Sequence, residues 1–287
     1  MLPAIQMHDS PQLHSPDASN PVETLARLFK WSASALALAG YSLVLFTEVT
    51  GRELPGKPDW PEALLVFLAA LATVTSLSRQ LPMQNVILGA VIIAVLGSLA
   101  HGLGVATAIP FGPFTYADAA GPRLLNLVAW PVPLIWVVAV LNSRGVARLI
   151  LRPWRKLRTY GFWLIGVTVG LTVLFDAALE PFAAAVKHYW LWQPTRVPLT
   201  WAGTPITNFL GWLLTALLIL AFVTPVLIDK RARPMHRAPV YHPLVVWLLA
   251  LLLFAIGCGL HQLWLPTGFC TVVGITVGLL AWRGARW

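Results

Sequence analysis

Apolar residues run along this chain in blocks near 20 residues long. Within each block polar and apolar positions do not alternate, and short polar or proline-bearing breaks separate one block from the next. A helix crossing the hydrocarbon core of a bilayer needs about 20 mostly apolar residues. Blocks of that kind lie at 28–48, 61–78, 84–106, 124–142, 159–179, 206–228, 243–263 and 266–283. The pattern predicts an all-α polytopic integral membrane protein with about eight transmembrane helices. The second block is short and begins at Trp60-Pro61-Glu62, and the last two are joined only by Trp264-Leu265-Pro266. Residues 1–24 are polar and rich in Ser, Pro, His and Asn, without the charged start and apolar core of a signal peptide. They are expected to form a disordered tail ahead of a single helical domain over 25–287. Pro131 and Pro133 fall inside the fourth block and are expected to kink it. Gly166 with Gly170, and Gly274 with Gly278, have the spacing that lets membrane helices approach closely.

Composition removes the soluble alternatives. Residues are 57% hydrophobic and only 11% charged, where a soluble domain carries roughly a quarter charged residues. The net charge of +9 would suggest nucleic acid in a soluble chain, but its distribution argues otherwise. With eight spans, the termini and the even-numbered loops hold 15 of the 20 Lys and Arg residues, and six of these fall between Arg144 and Arg158. The opposite side keeps Arg52, Lys57, Arg123, Lys187 and Arg196. This asymmetry predicts an inner-membrane protein with both termini cytoplasmic and no nucleic-acid partner. Acidic residues do the reverse: outside the tail, seven of eight fall on the non-cytoplasmic side and only Asp229 lies within. Cys258 and Cys270 sit in apolar blocks and read as small hydrophobic residues.

Ionisable residues at membrane depth are costly, and by default they mark a functional site facing the bundle interior. Asp176 and Glu180 stand four residues apart near the end of the fifth block, on one helix face. Two carboxylates in a low-dielectric setting cannot both ionise cheaply, so one is expected to keep a proton near neutrality and to serve as a general acid. The alternative is a structural pair capping the helix end through Lys187, Arg196 or Tyr189. Blocks one, three, five and seven run in the same direction, so their ends should meet at one depth. That gathers Glu48, His101, the carboxylate pair and His261 with Tyr116 and Asp118 of the third loop and with Asn208 at the start of the sixth block. His101 is a candidate proton relay, whereas His188 and His261 read as structural. No His or Cys spacing supports a metal site. Trp190, Trp192 and Trp212 fit either an interfacial belt or a wall of aromatic faces, each able to stabilise a cation by about 0.5–2 kcal/mol.

Two stretches resemble the integral-membrane carotenoid biosynthesis family that includes the carotenoid 1',2'-hydratases and the bisanhydrobacterioruberin hydratases. The first runs from His101 to Trp136 and contains Pro110-Phe111-Gly112, Tyr116 and Gly121 ahead of a proline-bearing helix. The second runs from Asp176 to Trp212 and contains Glu180-Pro181, a Trp-rich segment, Gly203, Pro205, Asn208-Phe209 and Gly211-Trp212. The chain departs from the pattern in having His101 where relatives often carry Glu, and Trp201-Ala202 in place of a tyrosine pair. The resemblance implies addition of water across the terminal double bond of an acyclic carotenoid end, with no redox cofactor. Asp176, Glu180, His101, Asn208 and Tyr116 would then be catalytic, and Glu48, Phe111, Asp118, Trp190, Trp192 and Trp212 would bind substrate. The expected partners are a hydrophobic carotenoid entering from the bilayer, water, membrane lipid and other carotenoid enzymes. The competing readings are an end-group cyclase, which starts from the same protonation, and a non-catalytic transporter or scaffold.

Overall fold

A computed structural model describes residues 21–52, 54–55, 60–195, 197–228 and 238–287. Most of the expected N-terminal tail, Arg196 and Asp229 lie outside the described residues. Eight helices are long and apolar enough to span a membrane. They are α1 (Pro21–Thr50), α2 (Trp60–Leu77), α3 (Met83–Thr107), α4 (Val132–Ile150), α5 (Tyr160–Glu180), α6 (Ile206–Val223), α7 (His242–Leu260) and α8 (Trp264–Ala285). The protein is therefore an all-α integral membrane protein. Its strands are stubs that fold the loops: β1 (Phe114–Tyr116), β2 (Arg123–Leu124), β3 (Val128–Ala129), β4 (Trp190–Trp192), β5 (Thr200–Trp201) and β6 (Thr204–Pro205), paired as β1–β4, β2–β3 and β5–β6.

The centre of the bundle is α4, which packs against α2, α3, α5, α7 and α8. Of its apolar window 67% is buried, against 22% for α3 and α8. The outer helices turn their large side chains outward at helical spacing, as in Leu88, Val91, Val95 and Leu99 of α3 and Val272, Ile275 and Leu279 of α8. A helix that is apolar all round can do this only where lipid replaces water.

The fourth span differs from the sequence expectation by eight residues. Residues 124–131 do not join the helix: Leu125 and Asn126 take positive φ (50° and 59°), and the Leu127 N–H donates to the Leu124 carbonyl at 3.0 Å. This two-residue turn joins β2 to β3. Pro131 then caps α4 and Pro133 sits in its first turn, where a missing N–H costs nothing because no carbonyl precedes it. The prolines begin the helix and do not kink it. The later start draws Arg144 into the bundle, 7% exposed, with its Nη2 donating to the Leu227 carbonyl at 3.1 Å.

Close helix contacts fall at glycines other than the expected ones. An added methyl at Gly166 or Gly170 would meet nothing within 4 Å, and at Gly274 or Gly278 only ordinary contact with Leu248 and, for Gly274, Leu251. The tight positions, where an added methyl would press on its neighbour, include Gly97 against the Trp136 ring (2.5 Å), Gly211 against Phe111 (2.5 Å), Gly145 against Pro243, Gly257 against Phe182 and Gly284 against the Leu149 carbonyl. Two of these, Gly97 and Gly211, hold aromatic residues of the site in place.

Candidate active site

The site begins with a proline in the wrong place for a helix. Glu180 ends α5, and Pro181, which follows it, has no N–H to donate to the Ala177 carbonyl one turn back. A buried orphan carbonyl is expensive, and here the Trp201 indole satisfies it, with Nε1 donating to the Ala177 carbonyl at 2.9 Å. Beyond Pro181 the chain widens into a π-helical turn, Pro181–Val186, closed by the Lys187 N–H to the Phe182 carbonyl at 2.9 Å. The carboxylate pair therefore sits inside the bundle and not at its rim: Asp176 is 0% and Glu180 2% exposed.

The loops then bring donors to Glu180. Strand β4 pairs antiparallel with β1, with Tyr116 opposite Trp190 and Phe114 opposite Trp192. Alternate side chains of a strand share a face, so these four rings turn inward while Leu191 and Thr115 face out. Trp190 and Trp192 each donate their indole N–H to Glu180 Oε2, at 3.1 and 3.0 Å. A third donor on the same oxygen is the Thr204 hydroxyl at 3.0 Å. It is placed by the tight β5–β6 turn, in which Ala202 and Gly203 have φ of 48° and 88°; a two-residue hairpin turn of this hand needs both positive, and glycine supplies one without strain. Asn208, 1% exposed in the first turn of α6, donates its amide to Asp176 Oδ2 at 2.8 Å and to Glu180 Oε1 at 3.3 Å. Asp176 Oδ1 has no hydrogen-bond partner among the described residues.

Facing Glu180 is an aromatic wall. Trp136 and Trp212 stack with centroids 3.9 Å apart, and both meet the edge of the His101 ring. Phe111, fully buried, is seated between Gly104 and Gly211 and stacks on His101 at 4.5 Å. His101 Nδ1 lies 3.0 Å from the Tyr116 hydroxyl, and His101 Nε2 has no partner among the described residues. Tyr116 lies in the loop outside the spans. Burial and the Glu180 charge push its phenol above the ordinary range, with Arg123 opposing, so it is a neutral hydroxyl. Between the two walls is a cavity of about 20 Å³, with Glu180, Asn208, His101 and Tyr116 among its lining and Trp136, Trp190, Trp192 and Trp212 around them. A space of that size holds one water molecule.

Of the catalytic candidates, Glu180, His101, Tyr116 and Asn208 line this cavity, and Asp176 stands behind Asn208. Trp190, Trp192 and Trp212 line it too, while Phe111 supports it from behind His101. Two residues do not belong to it. Asp118 is exposed in a single 3₁₀ turn. Glu48 pairs with Lys187, which also holds Glu62, so the three tie α1 and α2 to the π-helical turn. Burial would lower the Lys187 amine, but its bonds to the two carboxylates outweigh that and raise it. This is also why Lys187 does not cap the Asp176–Glu180 pair. His261 is likewise exposed, in the turn after α7. Sequence reasoning gave no role to Trp136 or Thr204. The signal for Trp136 was Gly97, one turn before His101 on the same helix face, which leaves room for a large ring. Among the described residues no group of three His, Cys, Asp or Glu side chains could hold a metal ion.

Residues 62–277, which span α2 to α8 and every residue of this cavity, match the family described as carotenoid biosynthesis protein. The chain belongs to that family. Among curated proteins, it is 31% identical over 113 residues to the bisanhydrobacterioruberin hydratase of Haloarcula japonica, a match covering 39% of this chain and 36% of that protein. The chain thus matches about a third of that relative's length. No solved structure matches. The family match omits α1, so Glu48 contributes from outside the matched region through Lys187.

Proposed function

We propose that the chain is a carotenoid hydratase, adding water across the terminal 1',2' double bond of an acyclic end group of the lycopene or γ-carotene type. The observation that carries this reading is Glu180, a buried carboxyl on the wall of a one-water cavity, with three donors on one oxygen and stacked indoles opposite. Protonating a trisubstituted alkene at its less substituted carbon leaves a tertiary cation, which water captures before losing a proton. Glu180 delivers the first proton from Oε1. The carboxylate left behind is stabilised by Trp190, Trp192 and Thr204, donors already aimed at the oxygen where charge develops. Asp176, held to Glu180 through Asn208, is the like-charged neighbour that keeps one proton on the pair. One outer face of the stacked Trp136–Trp212 pair meets the cation, with the other indole backing it. Tyr116 orients the water, and His101 Nε2 takes up its proton, which returns across the cavity to Glu180 and restores the acid. No other reactant is required, because alkene plus water gives the tertiary alcohol.

The test is expression in bacteria that make lycopene or γ-carotene, followed by mass analysis of the pigments. Hydration adds one water to the mass for each end modified. A product of unchanged mass and altered retention would instead be a ring, and unchanged pigment would remove both enzyme readings.

The distribution of basic residues supports an inner-membrane orientation with both termini and the Arg152–Arg158 loop cytoplasmic. A reporter fused after Trp287 is expected to be active only in its cytoplasmic form. Activity of a periplasm-dependent reporter at that position would reverse the orientation and place the site on the cytoplasmic side.

A further inference from the structure

A hydratase of a membrane-dissolved polyene needs two entrances. The polyene reaches the site through lipid, but water must reach carboxyl groups that are almost completely buried. A second cavity, a cleft of about 400 Å³, opens on the loop side of the site. It is lined by Pro110, Gly112 and Pro113 of the loop after α3, by Thr195 and Val197 after β4, and by Thr207. Since α3 ends at Thr107 and α6 begins at Ile206, this cleft lies at and beyond the ends of two spans, where a bilayer gives way to water.

Phe111 lines neither cavity but touches the lining of both. Pro110 and Gly112 line the outer cleft, and Phe111 between them points inward, 0% exposed, stacked on His101 of the inner cavity. The same adjacency recurs on α6: Thr207 lines the outer cleft and Asn208 the inner cavity. The Thr207 hydroxyl donates to the Phe111 carbonyl at 3.0 Å, which fixes the plug to the helix carrying Asn208. On the inner side of the plug, His101 Nε2 is a buried polar atom without a partner among the described residues, the kind of group a water molecule satisfies. We infer that the outer cleft is the aqueous antechamber of the site, that water passes from it to His101, and that the Phe111 ring is the barrier on this path. This deepens the hydratase reading and rests on it for the identity of the ligand.

Cysteine accessibility tests the route, because Cys258 and Cys270 are 0% and 1% exposed and leave the unmodified chain silent to a charged, membrane-impermeant methanethiosulfonate. In Thr195→Cys the reagent is expected to label the cleft from the aqueous side and abolish hydration, and dithiothreitol is expected to restore it. Full activity of the labelled protein would overturn the antechamber. An arm independent of activity uses His101→Cys. Its thiol is expected to be protected while Phe111 is present, labelled when Phe111→Ala is added, and protected again when Val197→Trp fills the cleft. Labelling at position 101 that ignores both substitutions would overturn the route. Phe111→Leu, which keeps more of the packing, repeats the comparison if the alanine variant does not remain monodisperse. A chain that makes no hydrated pigment would defeat the hydratase reading, while the labelling at position 101 still decides the route.

Discussion

Glu180→Gln is expected to cut hydration per folded enzyme by ~10²–10⁴-fold, the usual contribution of a general acid. The amide has nearly the same shape, so its carbonyl can still accept from Trp190, Trp192 and Thr204, whose donors now meet Glu180 Oε2 at 3.0–3.1 Å. What it lacks is a proton acidic enough to reach an alkene. Asp176→Asn is expected to slow the reaction as well, but without contact between the substituted group and substrate, since Asp176 reaches the cavity only through Asn208. Pigment conversion is measured against the amount of monodisperse protein in detergent. A purely structural pair would lose yield before it lost specific activity. Undiminished conversion in Glu180→Gln would move the acid to His101, the remaining titratable side chain of the inner cavity with an unpartnered atom.

Among the glycines packed on the aromatic rings of the site, Gly211→Ala is expected to be the most damaging substitution. The new methyl would stand 2.5 Å from the Phe111 ring, 3.0 Å from the Pro110 carbonyl and 3.1 Å from the Phe111 Cα. Two of those neighbours are backbone and cannot rotate aside. Overpacking of this kind costs about 1–3 kcal/mol, and here the strain falls on the ring that supports His101, so activity should fall with stability. Gly170→Ala is the matched control. Its methyl meets nothing within 4 Å, and alanine in a helix interior is favoured over glycine by roughly 0.5–1 kcal/mol, so thermal stability in detergent should hold or rise slightly. If Gly170→Ala lowered the melting temperature and Gly211→Ala left it unchanged, the packing account of the site would be wrong.

The eight spans were legible because an apolar run of 20 residues has few other uses, and the carboxylate pair was legible because charge at that depth is costly. Depth, however, is not position. Glu48 and His101 lie toward the ends of two spans that run in the same direction, α1 and α3, yet only His101 lines the cavity, because the lateral arrangement of helices leaves no periodic trace in the sequence. The start of α4 was misread for a related reason: residues 124–131 are apolar enough to pass as helix, and only the paired prolines mark where the helix can begin. The pairing of Phe114–Tyr116 with Trp190–Trp192 joins segments far apart in sequence with three residues each, too short for any alternation to announce a strand. The Trp-rich segment therefore read equally well as an interfacial belt. The difference between Asp176 and Glu180 depends on helix rotation and on the turns that deliver Thr204 and Asn208, which the four-residue spacing alone does not specify.

Among the described residues, every side chain that donates to the carboxylate pair comes after it in the chain. Trp190 and Trp192 follow Glu180 by 10 and 12 residues, Thr204 by 24 and Asn208 by 28. At a synthesis rate of roughly 5–20 residues per second, α5 emerges from the ribosome on the order of seconds before its last donor exists. During that interval the newest span carries two acids without these donors, and buried carboxyls without partners are costly at membrane depth. A chain stalled between Glu180 and Asn208 would therefore carry the pair without its donors, so the buried acids of the finished protein are also a hazard of its birth.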